Sequence, residues 1–242
     1  MSVGRVAVLD LVRFASRQPT MHGLLEVDVT SVRNRLASSV EKPTLTAFVV
    51  ATLVKAVAAC PEVNARRAGR TIISFEKVDV VVTVEREVDG AVAPVPMVVV
   101  DAAHKDVVQI TSELREAKAR PLDGLARQSL LGRLPSLVRR LTAIMARRIP
   151  KAAARFGPPI GVSSLGMFGS GWGIPLSPMT LMVTVGGTVT RPVLSGGQIE
   201  NHHFLPLTLS FDHSVIDGAP AARFATRFRH LMETASVLDE VR

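Results

Sequence analysis

Tyrosine is absent from the 242 residues, and tryptophan and cysteine occur once each, as Trp172 and Cys60. One cysteine excludes an internal disulfide framework, and no cysteine pair or histidine–glutamate motif has the spacing of a metal site. Few aromatic side chains can stack on bases, which argues against nucleic acid as a partner despite a net charge of +8. Cys60 lies in an apolar helical pattern before Pro61, which favours a buried structural thiol over a nucleophile.

Long apolar runs are also missing, so the sequence predicts no membrane-spanning helix. The first residues, MSVGRVAVLDLVRF, have no apolar stretch of signal-peptide length, because Asp10 interrupts them. Together with the single cysteine, this predicts a cytoplasmic protein. No Ser/Gly/Pro-rich linker or internal repeat divides the chain, and 47% apolar residues suffice for a sizeable core. The sequence therefore predicts one domain, residues 1–242.

Apolar periodicity predicts a mixture of helices and strands. Helices are predicted near 6–16, 31–39, 44–59 and 106–119 and from about 219 onwards. Strands are predicted near 24–29, 71–75, 78–85, 91–100, 161–164, 181–190 and 203–211. Elements grouped in this way indicate an α/β sandwich, with helices packed on one side of a sheet.

The most informative segment is LTLSFDHSVIDGAPAARF, residues 207–224. Alternating apolar residues predict a strand before His213, and an Ala-rich run with arginines predicts a helix after it. A histidine in such a strand–turn–helix unit can present one ring nitrogen to a cavity while the turn fixes the other. That arrangement suits a general base, although a lone histidine is more often an ordinary turn or core residue.

This segment resembles the active-site signature of the dihydrolipoamide acyltransferases of 2-oxo acid dehydrogenase complexes, which share an H-x-x-x-D-G core with chloramphenicol acetyltransferase. Four further segments are similar to this family: LLEVDVTSVRNRL, LTAFVVATLVKAVAACPEVNA, DGAVAPVPMVVVDAAHKDVVQITSEL and IGVSSLGMFGSGWGIPLSP. The resemblance implies a two-layer α/β sandwich of the chloramphenicol acetyltransferase type, a mixed sheet with helices packed on it. It also implies a homotrimer, or a larger assembly of trimers, with active sites between neighbouring subunits.

The activity implied by the resemblance is acyl transfer between coenzyme A and a thiol such as dihydrolipoamide, without a metal. A free thiol is little ionised at neutral pH, so a base must take its proton as sulfur attacks. The resemblance gives that role to His213, and Asp217 would chiefly hold the turn, as an Asp-Gly pair commonly does. Ser163 matches the hydroxyl residue that stabilises the oxyanion, with Ser164 on the opposite strand face. Asp212 is expected to face solvent or to fix the loop.

The chain departs from the family pattern at several positions. Ser214 replaces the arginine that usually follows the histidine, and Leu176-Ser177-Pro178 replaces an N-P-P turn. No lipoyl domain, small subunit-binding domain or swinging linker is recognised, so a lipoyl group is expected from a separate protein. The acyl chain and its natural acceptor stay open. The alternatives are a scaffold subunit that keeps the trimeric fold with little turnover, and acyl transfer to an alcohol or amine.

Residues 124–156 are predicted to form a basic amphipathic insertion. This segment contains no acidic residue and eight basic ones: Arg127, Arg133, Arg139, Arg140, Arg147, Arg148, Lys151 and Arg155. Apolar residues at three- and four-residue steps predict a helix that begins near Pro135. Its apolar face would pack on this domain or on a neighbouring subunit. An anionic membrane surface, an acidic partner and the phosphates of coenzyme A are alternative partners.

The remaining histidines are given no functional role. His22 is expected to be structural, and His104 to lie in a strand-to-helix connection. His202 and His203 are expected at a hairpin turn, and His230 in the last helix.

Overall fold

Seven strands hydrogen-bond into one mixed sheet in the computed structural model, which describes residues 3–88, 91–119, 135, 138, 141–142, 144–145, 148–166 and 169–239. The α-helices are α1 Val3–Ala15, α2 Thr30–Ser38, α3 Leu45–Ala59, α4 Val107–Ala119, α5 Pro150–Ala154 and α6 Gly218–Thr234. The strands are β1 Thr20–Asp28, β2 Ala65–Ala68, β3 Thr71–Ser74, β4 Val80–Val88, β5 Ala91–Val99, β6 Ile160–Ser164, β7 Leu181–Val185, β8 Val189–Ser195 and β9 Gln198–Asp212. Short 3-10 helices are Pro61–Val63, Ala102–His104 and Ser236–Leu238.

The strand order of the sheet is β1-β9-β7-β6-β4-β5, and β8 pairs with the first part of β9. Neighbours β4, β6 and β7 run parallel, whereas the other neighbouring pairs are antiparallel. Strands β2 and β3 form a separate hairpin. The parallel strands are joined through helices or long connections, as parallel pairing requires.

One face of the sheet packs against helices α2, α3, α4 and α6. Alternate strand residues supply this core, because successive side chains point to opposite faces. Its fully buried members include Val82, Val162, Val183 and Leu209 from the sheet and Phe48, Ile110, Phe224 and Phe228 from the helices. The predicted mixed sheet with helices packed on it is thus confirmed.

The opposite face carries a row of hydroxyl groups. Thr83, Ser163, Thr184 and Thr208 are direct cross-strand partners from β4, β6, β7 and β9. The connection between β6 and β7 passes over this row, and its backbone comes so close to β7 that a Cβ on Gly186 would lie 2.0 Å from the Gly171 carbonyl oxygen. Glycine is therefore required at this crossing, and Thr184 and Thr208 are buried beneath the connection.

Two of the predicted strands have the wrong boundaries. The strand predicted at 181–190 is two strands, β7 and β8, and the strand predicted from 203 begins at Gln198. The hairpin turn lies at Gly196 and Gly197, whose φ angles of 56° and 85° suit glycine, so His202 and His203 lie within β9 and not in a turn. Strand β2 was not predicted, because its sequence Ala-Arg-Arg-Ala has no β-branched residue.

Most of the predicted basic insertion at 124–156 lies outside the described residues. The described part includes α5 and exposed apolar side chains at Leu141, Ile144 and Met145. The prediction that the apolar face of this segment packs on the domain, on a neighbouring subunit or on another partner therefore stays a prediction. Within the described ranges, no helix combines the length and apolar character needed to cross a membrane.

Candidate active site

His213 occupies the turn between the end of β9 and the start of α6. Its backbone N–H donates to the Pro19 carbonyl at 2.7 Å, which ties the turn to the residue before β1. The imidazole is half exposed, and its Nδ1 lies 3.7 Å from a carboxylate oxygen of Asp217, which is 87% exposed. This distance exceeds hydrogen-bond length, and an exposed ion pair contributes little stability. The ring is therefore positioned mainly by its backbone.

Asp212 is the side chain that fixes this turn. It is 5% exposed and accepts hydrogen bonds from Gln18 Nε2 at 2.9 Å, from the Ser214 N–H at 2.9 Å and from the Ser214 hydroxyl at 2.7 Å. The prediction that Asp212 faces solvent is therefore wrong, and the alternative prediction, that it fixes the loop, is confirmed. Ser214, which stands where the family has arginine, takes part in this network, because its short hydroxyl reaches the carboxylate two residues earlier.

The carboxylate of Asp217 does not cap the N–H groups of α6, although Asp217 is the N-cap residue. Its backbone carbonyl accepts the first helical hydrogen bond, from Ala221. In this chain the turn is thus held by the Asp212 side chain and by the Asp217 backbone.

Ser163 lies on β6, on the hydroxyl-bearing face of the sheet. Its Oγ accepts a hydrogen bond from the hydroxyl of Thr83 on β4 at 2.9 Å. Ser164 follows it and points to the opposite face by strand alternation. The predicted oxyanion donor is therefore half-buried and held by a neighbouring hydroxyl.

Ser163 and His213 do not meet within one chain. Ser163 lies level with Thr208, across β7, and Thr208 precedes Asp212 by four residues on β9. Because an antiparallel strand rises about 3.4 Å per residue, Ser163 is offset along the strands by roughly 14 Å from Asp212, the residue just before His213. No hydrogen bond or ion pair among the described residues joins them.

A cavity of about 570 Å³ opens beside the His213 turn. Its walls include Asp212 and Ser214, which flank His213, and four arginines: Arg17, Arg66, Arg67 and Arg148. Sequence reasoning named Arg148 only as part of the basic segment and missed the Arg66–Arg67 pair. The pair directly follows the family-like P-E-V-N-A segment. Two adjacent arginines at that position are the sequence feature from which a basic cavity wall could have been predicted.

His202 has the clearest electrostatic environment among the other histidines. Its Nδ1 lies 2.5 Å from the Asp28 carboxylate, and this hydrogen bond is the largest cause that raises the pKa of His202 above 6.5. His22 instead hydrogen-bonds the Ser210 hydroxyl at 2.8 Å. Both side chains make structural contacts between β1 and β9, as expected for His22.

Cys60 is half-buried, and burial raises the pKa of its thiol, with the charge of Glu62 acting in the same direction. A raised pKa leaves less thiolate, which fits a structural thiol. Within the part of the chain that the structure describes, no group of three or more histidine, cysteine, aspartate or glutamate side chains could hold a metal ion.

Comparison with known proteins links this fold to one family. The profile of the 2-oxoacid dehydrogenases acyltransferase (catalytic domain) family matches residues 4–131 and 151–238. A dihydrolipoyllysine-residue acetyltransferase component of the pyruvate dehydrogenase complex from Cupriavidus necator is 31% identical over 193 residues, which cover 79% of this chain and 30% of that protein. The unmatched residues, 132–150, fall inside the predicted basic insertion.

Solved structures agree in fold. A probable dihydrolipoamide acetyltransferase from Listeria monocytogenes superposes with a TM-score of 0.72 and 25% identity, covering 97% of this chain and 93% of that one. The cubic core of a pyruvate dehydrogenase multienzyme complex superposes with a TM-score of 0.69 and 26% identity, covering 98% of this chain and 90% of that one. A chloramphenicol acetyltransferase superposes with a TM-score of 0.55 and 13% identity, covering 96% of this chain and 98% of that one. This likeness confirms the predicted fold type. The chain spans between 30% and 51% of the length of four curated relatives.

Proposed function

This chain belongs to the family of 2-oxoacid dehydrogenase acyltransferases, and from that premise we propose that it transfers an acyl group between coenzyme A and a thiol acceptor such as dihydrolipoamide. The observation that carries the proposal is the family match across the turn at residues 213–217, where a half-exposed imidazole is fixed through its backbone. The lipoyl group would be supplied by a lipoyl-bearing domain, in the cytoplasm.

His213 acts as the general base. Its Nδ1 faces Asp217, so Nε2 is the nitrogen available to the acceptor thiol. As the thiol sulfur bonds to the thioester carbonyl carbon, its proton moves to Nε2 and the carbonyl electron pair moves to oxygen. When the carbonyl re-forms, the original carbon–sulfur bond breaks and the imidazolium returns the proton to the departing thiolate. Atoms and charge balance without a metal or a redox partner.

Ser163 stabilises the oxyanion of the tetrahedral intermediate. Because the Thr83 hydroxyl donates to Ser163 Oγ, the serine keeps its own hydrogen for a second partner. A donor held in place before the reaction can stabilise developing negative charge without reorganising. Thr83 thus positions the hydroxyl and does not itself touch the substrate.

The complete site lies between two subunits. A base and an oxyanion donor must both lie within hydrogen-bond reach of one reacting group, and an offset of roughly 14 Å along the sheet prevents this within one chain. We therefore place Ser163 of one subunit opposite His213 of its neighbour, in a homotrimer or an assembly of trimers. The solved cubic core with the same fold supports such an assembly.

The test offers a panel of acyl-CoAs with free dihydrolipoamide and identifies the product by mass. We expect exchange with at least one acyl-CoA, and His213→Ala should lower kcat by roughly 10²- to 10⁴-fold, the usual contribution of general base catalysis. His230→Ala, which removes an exposed histidine from α6, is the matched control and should keep the activity.

Two results would contradict the proposal. One is a folded oligomer that exchanges no acyl group with any acyl-CoA, as a scaffold subunit would. The other is exchange that His213→Ala and His230→Ala reduce equally.

A further inference from the structure

An apolar row lies beside the hydroxyl row, on the same face of the sheet. Its members are direct cross-strand partners from β5, β4, β6 and β7: Val98, Val81, Gly161 and Met182. Gly161 precedes Ser163 by two residues on β6, so the two rows are roughly 7 Å apart and face the same way. The side chains of the apolar row contain no nitrogen or oxygen, so this row offers a bound group contact with carbon and sulfur.

Met179 covers the glycine of the apolar row. A Cβ on Gly161 would lie 2.9 Å from Met182 Sδ and closer still to Met179 Sδ, so the two thioethers occupy the place that a side chain at this position would fill. Met182 is 8% exposed and belongs to the sheet, whereas Met179 is half-buried and belongs to the connection that leads into β7. An unbranched thioether side chain can change its rotamer to fit the group that it contacts. Met179 is therefore the adjustable wall of the apolar row.

The connection between β6 and β7 closes one direction from Ser163. A Cβ on Gly173 would lie 3.3 Å from Thr184 Cγ2, so this connection lies directly over the residue that is next to Ser163 on β7. Val98, at the β5 end of the apolar row, is by contrast 43% exposed. The apolar row is thus the surface over which an acyl chain can extend from a carbonyl group held by Ser163.

We propose that Met179 sets the length of the acyl group that this chain transfers, and that this group is an apolar acyl chain longer than acetyl. This inference rests on the proposed function, because it takes Ser163 as the group that holds the thioester carbonyl. An acetyl group ends at its methyl carbon, far short of the roughly 7 Å between Ser163 and the apolar row. A butanoyl chain spans most of that distance, and each methylene that is buried there stabilises the bound state.

The experiment measures kcat/KM of the full chain for acetyl-, propanoyl-, butanoyl- and hexanoyl-CoA, with dihydrolipoamide as the acceptor. For the wild type, kcat/KM should rise about fourfold with each methylene from acetyl to butanoyl, the gain expected for burying one methylene. Met179→Ala removes the adjustable wall, so the hexanoyl-to-butanoyl ratio should rise about tenfold. Gly161→Ala pushes the Met179 sulfur outward, so the butanoyl-to-acetyl ratio should fall about fourfold.

Met145→Ala is the matched control, because it truncates an exposed methionine of the basic segment. It should keep the wild-type ratios between the four acyl groups. Met179→Leu tests the same wall if Met179→Ala does not fold, because it conserves the side-chain volume and replaces a flexible thioether with a stiffer branched chain. In this variant the hexanoyl-to-butanoyl ratio should fall.

The outcomes distinguish the acyl-length role from the proposed function. Ratios that change in Met179→Ala and stay constant in Met145→Ala support the role of Met179. Acyl exchange in which both variants keep the wild-type ratios, or in which the wild type prefers acetyl-CoA, shows that Met179 does not set the chain length, while the acyltransferase function stands. A folded protein that exchanges no acyl group contradicts both proposals.

Discussion

His213 depends on neighbours that are far from it in sequence. The motif predicted the histidine and its turn, because the turn chemistry is local. The burial of Asp212 and its bond to Gln18 were not predictable, since the partner lies 194 positions away. The same holds for Thr83, which is 80 positions from the serine that it positions. Residue types were therefore readable from the motif, whereas the contacts that orient them depend on tertiary packing.

Thr83 provides a test of the positioning role at this scale. Thr83→Val keeps the shape of the side chain but removes the hydroxyl that donates to Ser163. We expect kcat to fall about tenfold with an unchanged KM for acyl-CoA, less than the loss from deleting an oxyanion donor itself. Steady-state kinetics measure both values.

Thr83→Ser is the matched variant, because it restores the hydroxyl and should recover most of kcat. An equal loss of kcat in the two variants would mean that packing by the threonine methyl matters and the hydrogen bond does not.

Among the elements, the meeting point of β1, α2 and β9 is held by Asp28. Its carboxylate accepts hydrogen bonds from the N–H and hydroxyl of Thr30, at the start of α2, and lies against His202 of β9. Burial raises the pKa of Asp28, but these hydrogen bonds outweigh burial and bring the pKa below 3.8. The elements themselves were largely predictable from periodicity, whereas the role of His202 was not, because the hairpin turn was misplaced.

The His202–Asp28 pair predicts a pH-dependent stability. A raised folded pKa means that the contribution of His202 is fully present below its unfolded value of 6.5 and is lost as the pH rises through the folded pKa. The lowered pKa of Asp28 means that its contribution is present above 3.8 and is lost as the pH falls through the folded value. The pair therefore stabilises the fold most between these two unfolded values.

The measurement compares urea unfolding of the wild type and His202→Gln at fixed protein concentration. We expect the difference in unfolding free energy between the two to be larger at pH 5.5 than at pH 9. His230→Gln removes an imidazole without touching Asp28 and is the control. A difference that is the same at both pH values would show that the pair does not titrate as described.

Within the whole molecule, the two side chains proposed to act in catalysis, His213 and Ser163, lie in different regions of the sheet. The family resemblance predicted the fold, and the comparisons confirm it, because its motifs extend along most of the chain. The proposed assembly depends on that resemblance and on the solved cubic core with the same fold. Periodicity reports which faces of a chain are buried, not which copy of the chain covers them.

Subunit complementation tests the shared site. His213→Ala and Ser163→Ala chains, each inactive alone, should regain activity when co-expressed in one assembly. In random trimers, about 25% of wild-type activity is expected, because three in four trimers contain both chains and each of those has one intact interface. Activity is measured on assemblies whose mass is determined in the native state.

A site contained within one chain would give no recovery in any mixture. Co-expression of the two variants in a strain without the wild-type gene excludes wild-type chains as the source of recovered activity.

Strand β9 has two parts that differ in how many neighbouring strands they hydrogen-bond. From Phe204 to Asp212 it is bonded by β1 on one side, and its last residues by β7 on the other, whereas among the described residues Gln198 to Asn201 pair with β8 alone. The projecting end, with Leu194 and Ile199 at 74% and 77% exposure, could thus accept mutations or change length over evolution. Such drift would leave the anchored end, and with it the imidazole, undisturbed.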